Sequence, residues 1–405
     1  MTIIQQSNSS MPFDIHGVAK RRKMMRLKRN LIQWAILTAI AALIIAFILA
    51  VKNGLGRHGI VFSFSYLWQP SGFDISEGKT LAFDGNWWAS LTSFNAVHSN
   101  AQALIAGLFN TVKVAALAIL TSTLLGTLLG VGKLSTNWLV RQLSFGLVEF
   151  VRNTPLLIQL VFWYFAVVLN FPPLAAAAKF YGGIIISKQG NYFPALVLSE
   201  TISPLALITS VCALIAIAAS LLKRFAGYRL ILLSSACAFV IVTLLAGSPV
   251  IPEYPVASRF QASGGTSISP EMAALLLAIT VNSAAYIAEI VRGAIEAMPK
   301  GQWEAASALG LDRRQSLKEI ILPQVFRIVL PSFGNQYINL MKNTSLGIAI
   351  GYPELFNVYG TLANQTGRSL EGIAIVMAVY LVLSWIISAL VNLANRQITK
   401  RGGTR

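Results

Sequence analysis

The sequence predicts an all-α polytopic membrane protein with about eight transmembrane helices. Composition, the length of the apolar segments and the placement of basic residues lead to this fold class. The chain has 405 residues, of which 55% are hydrophobic and 12% charged, and its mean hydropathy is +0.64. A soluble globule of 43.8 kDa would need more polar side chains to cover its surface. A lipid bilayer must therefore solvate the remainder.

Eight segments approach the length of about 20 apolar residues that a helix needs to cross the hydrocarbon layer. They lie near residues 31–51, 104–131, 154–171, 195–222, 230–247, 271–290, 331–350 and 371–394. Polar side chains interrupt the seventh, and no internal repeat is visible. Cys212 and Cys237 fall inside apolar spans, which favours buried thiols over a disulfide.

The basic residues predict the orientation. The net charge is +17, but the Lys and Arg residues are spread among the loops, which argues against a nucleic-acid-binding face. An inside N terminus places 23 basic residues on the inner side and 7 on the outer side, in agreement with the positive-inside rule. Both termini and the long basic loop at 291–330 are therefore predicted to face the cytoplasm.

The N-terminal region is predicted to be a basic tail, 1–30, followed by a retained anchor, 31–51. The apolar run is long for a signal sequence, and it ends in Val51-Lys52-Asn53-Gly54 without a small-residue cleavage site. Residues 52–103, which are rich in Gly, Ser, Phe and Trp, then form an external segment. The chain is predicted to end in a cytoplasmic tail, 396–405.

A polar helix pair at 304–323, EAASALGLDRRQSLKEIILP, stands out in this apolar chain. Gly310 suits the left-handed position that ends a helix, and Asp312 with Gln315 resembles a capping box that begins the next. Leu317, Ile320 and Ile321 recur at helical spacing and form one apolar stripe. Such an element is expected to lie on a surface and dock onto a partner.

The pair resembles the EAA motif of ABC-importer permeases, with every fixed position present. Its flanks and the segment RNTPLL (152–157) look like the polar amino-acid branch of that family, in particular the general L-amino-acid (Aap/Bzt type) permeases. The resemblance implies a type I ABC importer (MetI-like) helical bundle over 104–395, with a two-helix insertion at about 172–270 and a cytoplasmic coupling loop at 291–330. It also implies ATPase contacts by Glu304, Ala305, Ala306, Gly310, Leu311, Arg313, Ile320, Leu322 and Pro323.

The resemblance further implies a non-catalytic transport subunit in the bacterial inner membrane. Its expected partners are ABC ATPase subunits, a periplasmic amino-acid-binding protein and a second permease subunit, with a heterodimer favoured over a homodimer. No cofactor is expected on this chain; ATP and Mg belong to the ATPase. The glycines at 54, 56 and 59 have the spacing of a dinucleotide-binding loop, but they follow a membrane anchor instead of a strand. The segment GFDISEGKT (72–80) resembles a P-loop but has the wrong glycine spacing. Neither segment is therefore predicted to bind a nucleotide.

Polar residues inside the spans are candidates for the substrate path, because they are costly in lipid. Asn335, Asn339 and Asn343 recur on one helical face with Lys342 nearby, and they either line a transport cavity or bond to neighbouring helices. Asn282, Ser283 and Tyr286 form a second, weaker set. Glu289 and Arg292 are spaced for an ion pair. The scattered histidines predict no metal site.

Two other classes of membrane protein would leave different patterns in the sequence. An ion-coupled secondary transporter would show coupling-ion chemistry within the spans and often repeated halves. A polytopic membrane enzyme would need converging acid, base or metal-ligating groups. The sequence shows neither pattern.

Overall fold

The computed structural model describes residues 15–57, 63–82, 90–180, 182–198, 204–221, 227–245, 250–258, 262–312 and 315–402. The chain divides into two compact units, one ending at Phe64 and the other beginning at Ser65. In the first unit, the described residues form the helix α1 (Ile15–Arg57). Its segment Lys28–Phe47 is long and apolar enough to cross a membrane. The large apolar side chains of this segment are exposed, as lipid contact requires.

Ten helices make up most of the described part of the second unit. They are α2 (Asn100–Lys133), α3 (Trp138–Arg152), α4 (Leu156–Val161), α5 (Pro204–Leu221), α6 (Arg229–Leu245), α7 (Pro270–Glu296), α8 (Lys300–Ala308), α9 (Leu322–Asn343), α10 (Leu355–Thr366) and α11 (Ser369–Gly402). Short 3-10 turns occupy Ser65–Trp68 and Leu174–Ala176. After α4 the chain continues through a π-helical turn, Phe162–Val167, and a 3-10 turn, Val168–Asn170. After α9 it continues through a 3-10 segment, Thr344–Ile350.

Among the described residues, four helices are long and apolar enough to span a membrane: α1, α2, α7 and α11. They correspond to the predicted spans 31–51, 104–131, 271–290 and 371–394. The predicted span 154–171 follows α3 at a bend of 105°, and the two together would make a fifth. The spans predicted at 195–222 and 230–247 contain shorter apolar helices, and the one at 331–350 is divided between α9 and the 3-10 segment.

The insertion between α4 and α7 carries short strands that the sequence analysis did not predict. They are β3 (Ala178–Phe180), β4 (Ile184–Ser187), β5 (Gly190–Phe193), β6 (Ala195–Leu198), β7 (Val250–Glu253), β8 (Val256–Ala257), β9 (Ala262–Ser263) and β10 (Thr266–Ile268). One sheet has the order β10-β5-β4-β3, and β6 pairs antiparallel with β7. The helix predicted from residue 195 is therefore wrong over 195–198, because ladder pairing with β7 overrides the apolar helical pattern there. The earlier hairpin is β1 (Lys79–Ala82) and β2 (Ser90–Ser93).

The core of the second unit lies where α2 packs along α7. Gly126 and Gly130 face α7 so closely that an added Cβ would stand 2.7 Å from the carbonyl oxygens of Ala284 and Ala288, respectively. The G-x-x-x-G spacing of these two glycines thus serves close helix packing. Around this contact, Ala118 and Ile279 are fully buried. The position of α7 against α2 sets the positions of the loop and the cavity described below.

Candidate functional site

The coupling loop, residues 291–330, folds as the local sequence predicts. The helix α8 begins after Pro299 and ends at Ala308, and Gly310 adopts a left-handed conformation with φ +73°. Asp312 N donates to Gln315 Oε1 at 3.1 Å, and Gln315 N donates to Asp312 Oδ1 at 2.7 Å. These reciprocal bonds are a capping box, and they fix the angle at which the chain enters the next helix.

That next helix contains an irregularity immediately before Pro323. Residues Ser316–Ile321 form a π-helical turn, and α9 continues from Leu322. Proline has no N–H to donate and its ring crowds the preceding turn, so a regular α-helical bond cannot form at Pro323. Wider winding ahead of the proline is one way to relieve this conflict, and π-turns are frequent at functional sites.

The loop separates its predicted coupling residues into different environments. Glu304, Ala305, Gly310 and Pro323 are exposed, whereas Ala306 is fully buried. Leu311, Ile320 and Leu322 are half-buried. Ala306 therefore belongs to the packing of the loop itself and cannot offer a surface to a partner. Arg313 lies outside the described residues.

An apolar groove lies beside the loop, with a volume of about 600 Å³. Its lining includes Leu128, Val131 and Val140, and on the other side Ile295, Trp303, Leu317 and Leu322. The groove thus joins the end of α2, the start of α3 and both arms of the coupling loop. The groove is large enough to accommodate apolar side chains of a partner that docks on the exposed loop.

A cluster of charged side chains ties α2 to α3 and α7 near the same end. The Lys133 ammonium donates to Glu289 Oε1 and lies 3.7 Å from Glu149 Oε1. Arg292 donates to Glu289 Oε2 at 2.8 Å and to Glu296 Oε2 at 2.6 Å. Glu289 and Arg292 thus form an ion pair, as their spacing suggests, but the buried Lys133 is an additional partner. We call Lys133, Glu149, Glu289, Arg292 and Glu296 the charge cluster.

A polar cavity of about 620 Å³ opens between α3, α7 and α9. We call it the amide cavity. Its lining residues are Arg152, Asn153, Thr154, Pro155, Leu156, Asn282, Tyr286, Gln336, Asn339, Lys342 and Asn343. It brings together five of the seven predicted substrate-path residues. Asn335 and the buried Ser283 do not line it.

Five amide side chains line this cavity, and one of them, Asn153, donates to the Glu149 carbonyl oxygen at 2.8 Å. Within the described part of the chain, the side chains of Asn282, Gln336, Asn339 and Asn343 make no hydrogen bond to another protein group. Asn282 is also largely buried. An unpaired amide is costly when it is buried, so Asn282 in particular favours a polar occupant of the cavity. The alternative, in which the asparagines bond to neighbouring helices of the same chain, is not seen where the structure describes those helices.

Comparison with known families settles the class of the protein. Residues 122–402 match the family described as the binding-protein-dependent transport system inner membrane component. The chain belongs to this family. The permease is therefore a transport subunit and an integral protein of the inner membrane.

Individual relatives cover nearly all of the permease. It is 34% identical to the general L-amino acid transport system permease protein AapQ of Rhizobium johnstonii, across 95% of this chain and 96% of that one. It is 36% identical to a putative amino-acid ABC transporter permease protein, YhdX, of Escherichia coli, across 85% and 88%. It is 31% identical to BztB of Rhodobacter capsulatus, a glutamate/glutamine/aspartate/asparagine transport system permease protein, across 85% and 87%.

The structure of the permease also brings forward residues that sequence reasoning missed. In the sequence, Lys133 resembles an ordinary loop cation at the end of a predicted span. Gln336 was missed because it does not share the i+4 spacing of the asparagines. In the sequence, Arg152 stands out only as part of RNTPLL, whereas in the structure it lines the amide cavity. The signal that could have identified Arg152 is its place directly before the predicted span at 154–171, where a cation next to a polar turn can reach the same cavity.

Proposed function

We propose that this permease is the membrane-spanning subunit of an ABC transporter that imports L-amino acids, with the coupling loop transmitting the movements of a separate ATPase. The observation that carries the proposal is the coupling loop. Glu304 and Ala305 are exposed on this loop beside an apolar groove. The left-handed Gly310 and the Asp312–Gln315 capping box fix the angle between the two helices of the loop. The amino-acid substrates named for AapQ and BztB support the substrate class.

The proposed mechanism is a shift between cavity-inward and cavity-outward states. Binding of ATP to the partner can shift this equilibrium only if the ATPase contacts the two states differently. The groove is suited to such contacts because it joins the loop to α2 and α3, while the charge cluster joins those helices to α7. A displacement of the loop by the ATPase would thus move helices that border the amide cavity.

The proposed assembly has two permease subunits, two ATPases and an external amino-acid-binding protein. A second homologous permease subunit completes the transport path. We expect this subunit to be a different chain, which gives a heterodimer, and not a second copy of this one. ATP and Mg are bound by the ATPases. Both termini and the coupling loop lie on the cytoplasmic side in this proposal, because the basic residues concentrate there.

The coupling role is tested with substitutions of exposed loop residues in the reconstituted transporter. Gly310→Val should strain the left-handed position by about 1 kcal/mol or more, while Gly310→Asn is the matched control because Asn tolerates this conformation. Ala305→Trp and Glu304→Lys should obstruct or repel the partner surface. Ala306→Trp would instead disrupt the loop itself, because Ala306 is buried.

The measurement is ATP hydrolysis and amino-acid uptake on the same proteoliposomes. We expect Gly310→Val, Ala305→Trp and Glu304→Lys to weaken ATPase docking or to uncouple hydrolysis from uptake, with normal membrane insertion. Parental values of both activities in all three variants would rule out the loop as the transmission element. Uptake that persists without ATP would contradict the ABC transporter itself.

A further inference from the structure

The amide cavity contains two cationic side chains and no acidic one. Arg152 comes from the last turn of α3 and Lys342 from the last turn of α9, and the lining includes neither Asp nor Glu. The remaining polar lining groups are amides and hydroxyls, which carry no charge. The cavity therefore has an excess of two positive charges in its protein wall.

Neither cation is hydrogen-bonded to a carboxylate of the residues that the structure describes. Arg152 Nη1 and Glu149 Oε1 form a loose ion pair at 3.7 Å, beyond hydrogen-bond distance, and Glu149 lies at the same distance from Lys133. Both side chains of the Arg152–Glu149 pair are about one-third exposed. The guanidinium stands over the ring of Tyr286, 5.8 Å from its centroid. The Lys342 ammonium has no ion pair or hydrogen bond to any residue that the structure describes.

Two cations of the neighbouring helices α2 and α7 are satisfied. Lys133, at the end of α2, contacts Glu289, and Arg292, at the end of α7, donates to two carboxylates. Charged groups at membrane depth are retained mainly for function when they lack a partner. Arg152 and Lys342 thus differ from Lys133 and Arg292 in two respects: neither has a described carboxylate within hydrogen-bond distance, and both line a cavity.

We propose that Arg152 and Lys342 bind the carboxylate groups of the substrate, and that the amide cavity therefore favours amino acids with an acidic side chain over those with a basic one. The inference rests on the proposed function of amino-acid import. A dicarboxylic amino acid offers one carboxylate to each cation, and the fixed fork of a guanidinium suits a carboxylate well. The unpaired oxygens of Asn282 and Asn339 can accept from the substrate ammonium.

A basic amino acid meets the opposite electrostatics. Its single carboxylate can satisfy one of the two cations, while its side chain brings a third positive charge into the same cavity. Like charges repel strongly where the surrounding dielectric is low. The positive charge of the lining residues thus disfavours binding of amino acids with cationic side chains, and no steric barrier is needed.

Direct binding to the purified transporter tests the proposal, with the external binding protein left out so that its own selectivity does not contribute. Radiolabelled glutamate is bound to the nucleotide-free assembly in detergent, and glutamine and lysine are the competitors. We expect glutamate to bind most tightly, then glutamine, then lysine. Arg152→Gln and Lys342→Gln should each weaken glutamate binding about tenfold, weaken glutamine binding less, and improve lysine binding.

Arg141→Gln is the matched control, because Arg141 is an exposed cation of α3 that does not line the cavity. It should leave all three affinities unchanged. Equal binding of lysine and glutamate by the parental transporter, no measurable binding of glutamate, or an unchanged glutamate affinity in both cavity variants with normal assembly would each overturn the proposal. ATP-dependent uptake of amino acids would stand in those cases, whereas its absence would refute the proposed function instead.

Discussion

Gly126 of α2 lies against Ile287 of α7 so closely that a Cβ on the glycine would stand 2.7 Å from the Cβ of Ile287. The neighbouring backbone oxygen of Ala284 is equally close. Neither a β-carbon nor a carbonyl can move aside without shifting the helix that carries it. The separation of the two central helices is thus set by the absence of a side chain at this residue.

Gly126→Val should therefore destabilise the permease by forcing α2 away from α7. Overpacking of this kind costs about 1–3 kcal/mol. Unfolding by SDS titration measures the change in stability. Gly293→Val is the matched control, because an added Cβ at Gly293 meets no atom within 4 Å. Equal losses in the two variants would mean that helix propensity, and not the close contact, is responsible.

Glu289→Gln should leave Lys133 as a buried cation without a close carboxylate. The Lys133 side chain is 5% exposed, and its other acidic neighbour, Glu149, is 3.7 Å away. Loss of one partner of a buried pair costs about 3 kcal/mol or more, and the double variant Lys133→Met, Glu289→Gln should recover much of that loss. The same SDS titration measures both variants.

The exposed pair of Lys318 and Glu319 provides the control for this experiment. Its side chains are 78% and 64% exposed, so Glu319→Gln should change the stability by less than about 1 kcal/mol. A double variant that is no more stable than Glu289→Gln would show that the buried charge on Lys133 is not the source of the loss.

Asn339→Leu and Asn343→Leu should reduce uptake, unequally for different amino acids, while assembly with the ATPase is preserved. Both residues line the amide cavity, and leucine removes their hydrogen-bonding groups. Asn335→Leu is a matched control on the same helix, since Asn335 is exposed but does not line the cavity. Uptake assays with several amino acids at equal protein levels distinguish the variants. Identical losses at all three positions would argue against the substrate path.

The predicted orientation is accessible to cysteine labelling. Ser76, Ser263 and Gln315 are all exposed, so single cysteines there can react wherever the reagent reaches them. In a functional background without Cys212 and Cys237, an impermeant maleimide should label Ser76→Cys and Ser263→Cys in intact cells. Gln315→Cys should react only after the inner membrane is permeabilised. Labelling of Gln315→Cys in intact cells would reverse the assignment of the coupling loop to the cytoplasm.

The features that could be predicted from the sequence are those in which neighbouring residues determine the geometry. Asp312 and Gln315 complete their capping box within one helical turn, and the left-handed conformation of Gly310 follows from its lack of a Cβ. The close approach at Gly126 and Gly130 follows similarly from helical periodicity.

The features that were missed depend on contacts between distant parts of the chain. Lys133 meets Glu289, 156 residues away, and nothing in the local pattern of either residue indicates the other. The strand β6 consists of apolar residues that also suit a membrane helix, and only its pairing with β7 decides between the two. Ala306 is buried because of how α8 packs, which helical spacing does not reveal.

The long insertion between α4 and α7 has a consequence for biosynthesis. The helix α2 ends at Lys133, and its closest partner, α7, does not begin until Pro270. At ordinary translation rates the ribosome needs on the order of ten seconds to make the intervening chain. During that interval the glycine surface of α2 must be covered by lipid, by the translocation machinery or by a chaperone. The inserted helices α5 and α6 thus delay the assembly of the transport core, and a nascent chain arrested before α7 should expose the glycine surface of α2 that α7 later covers.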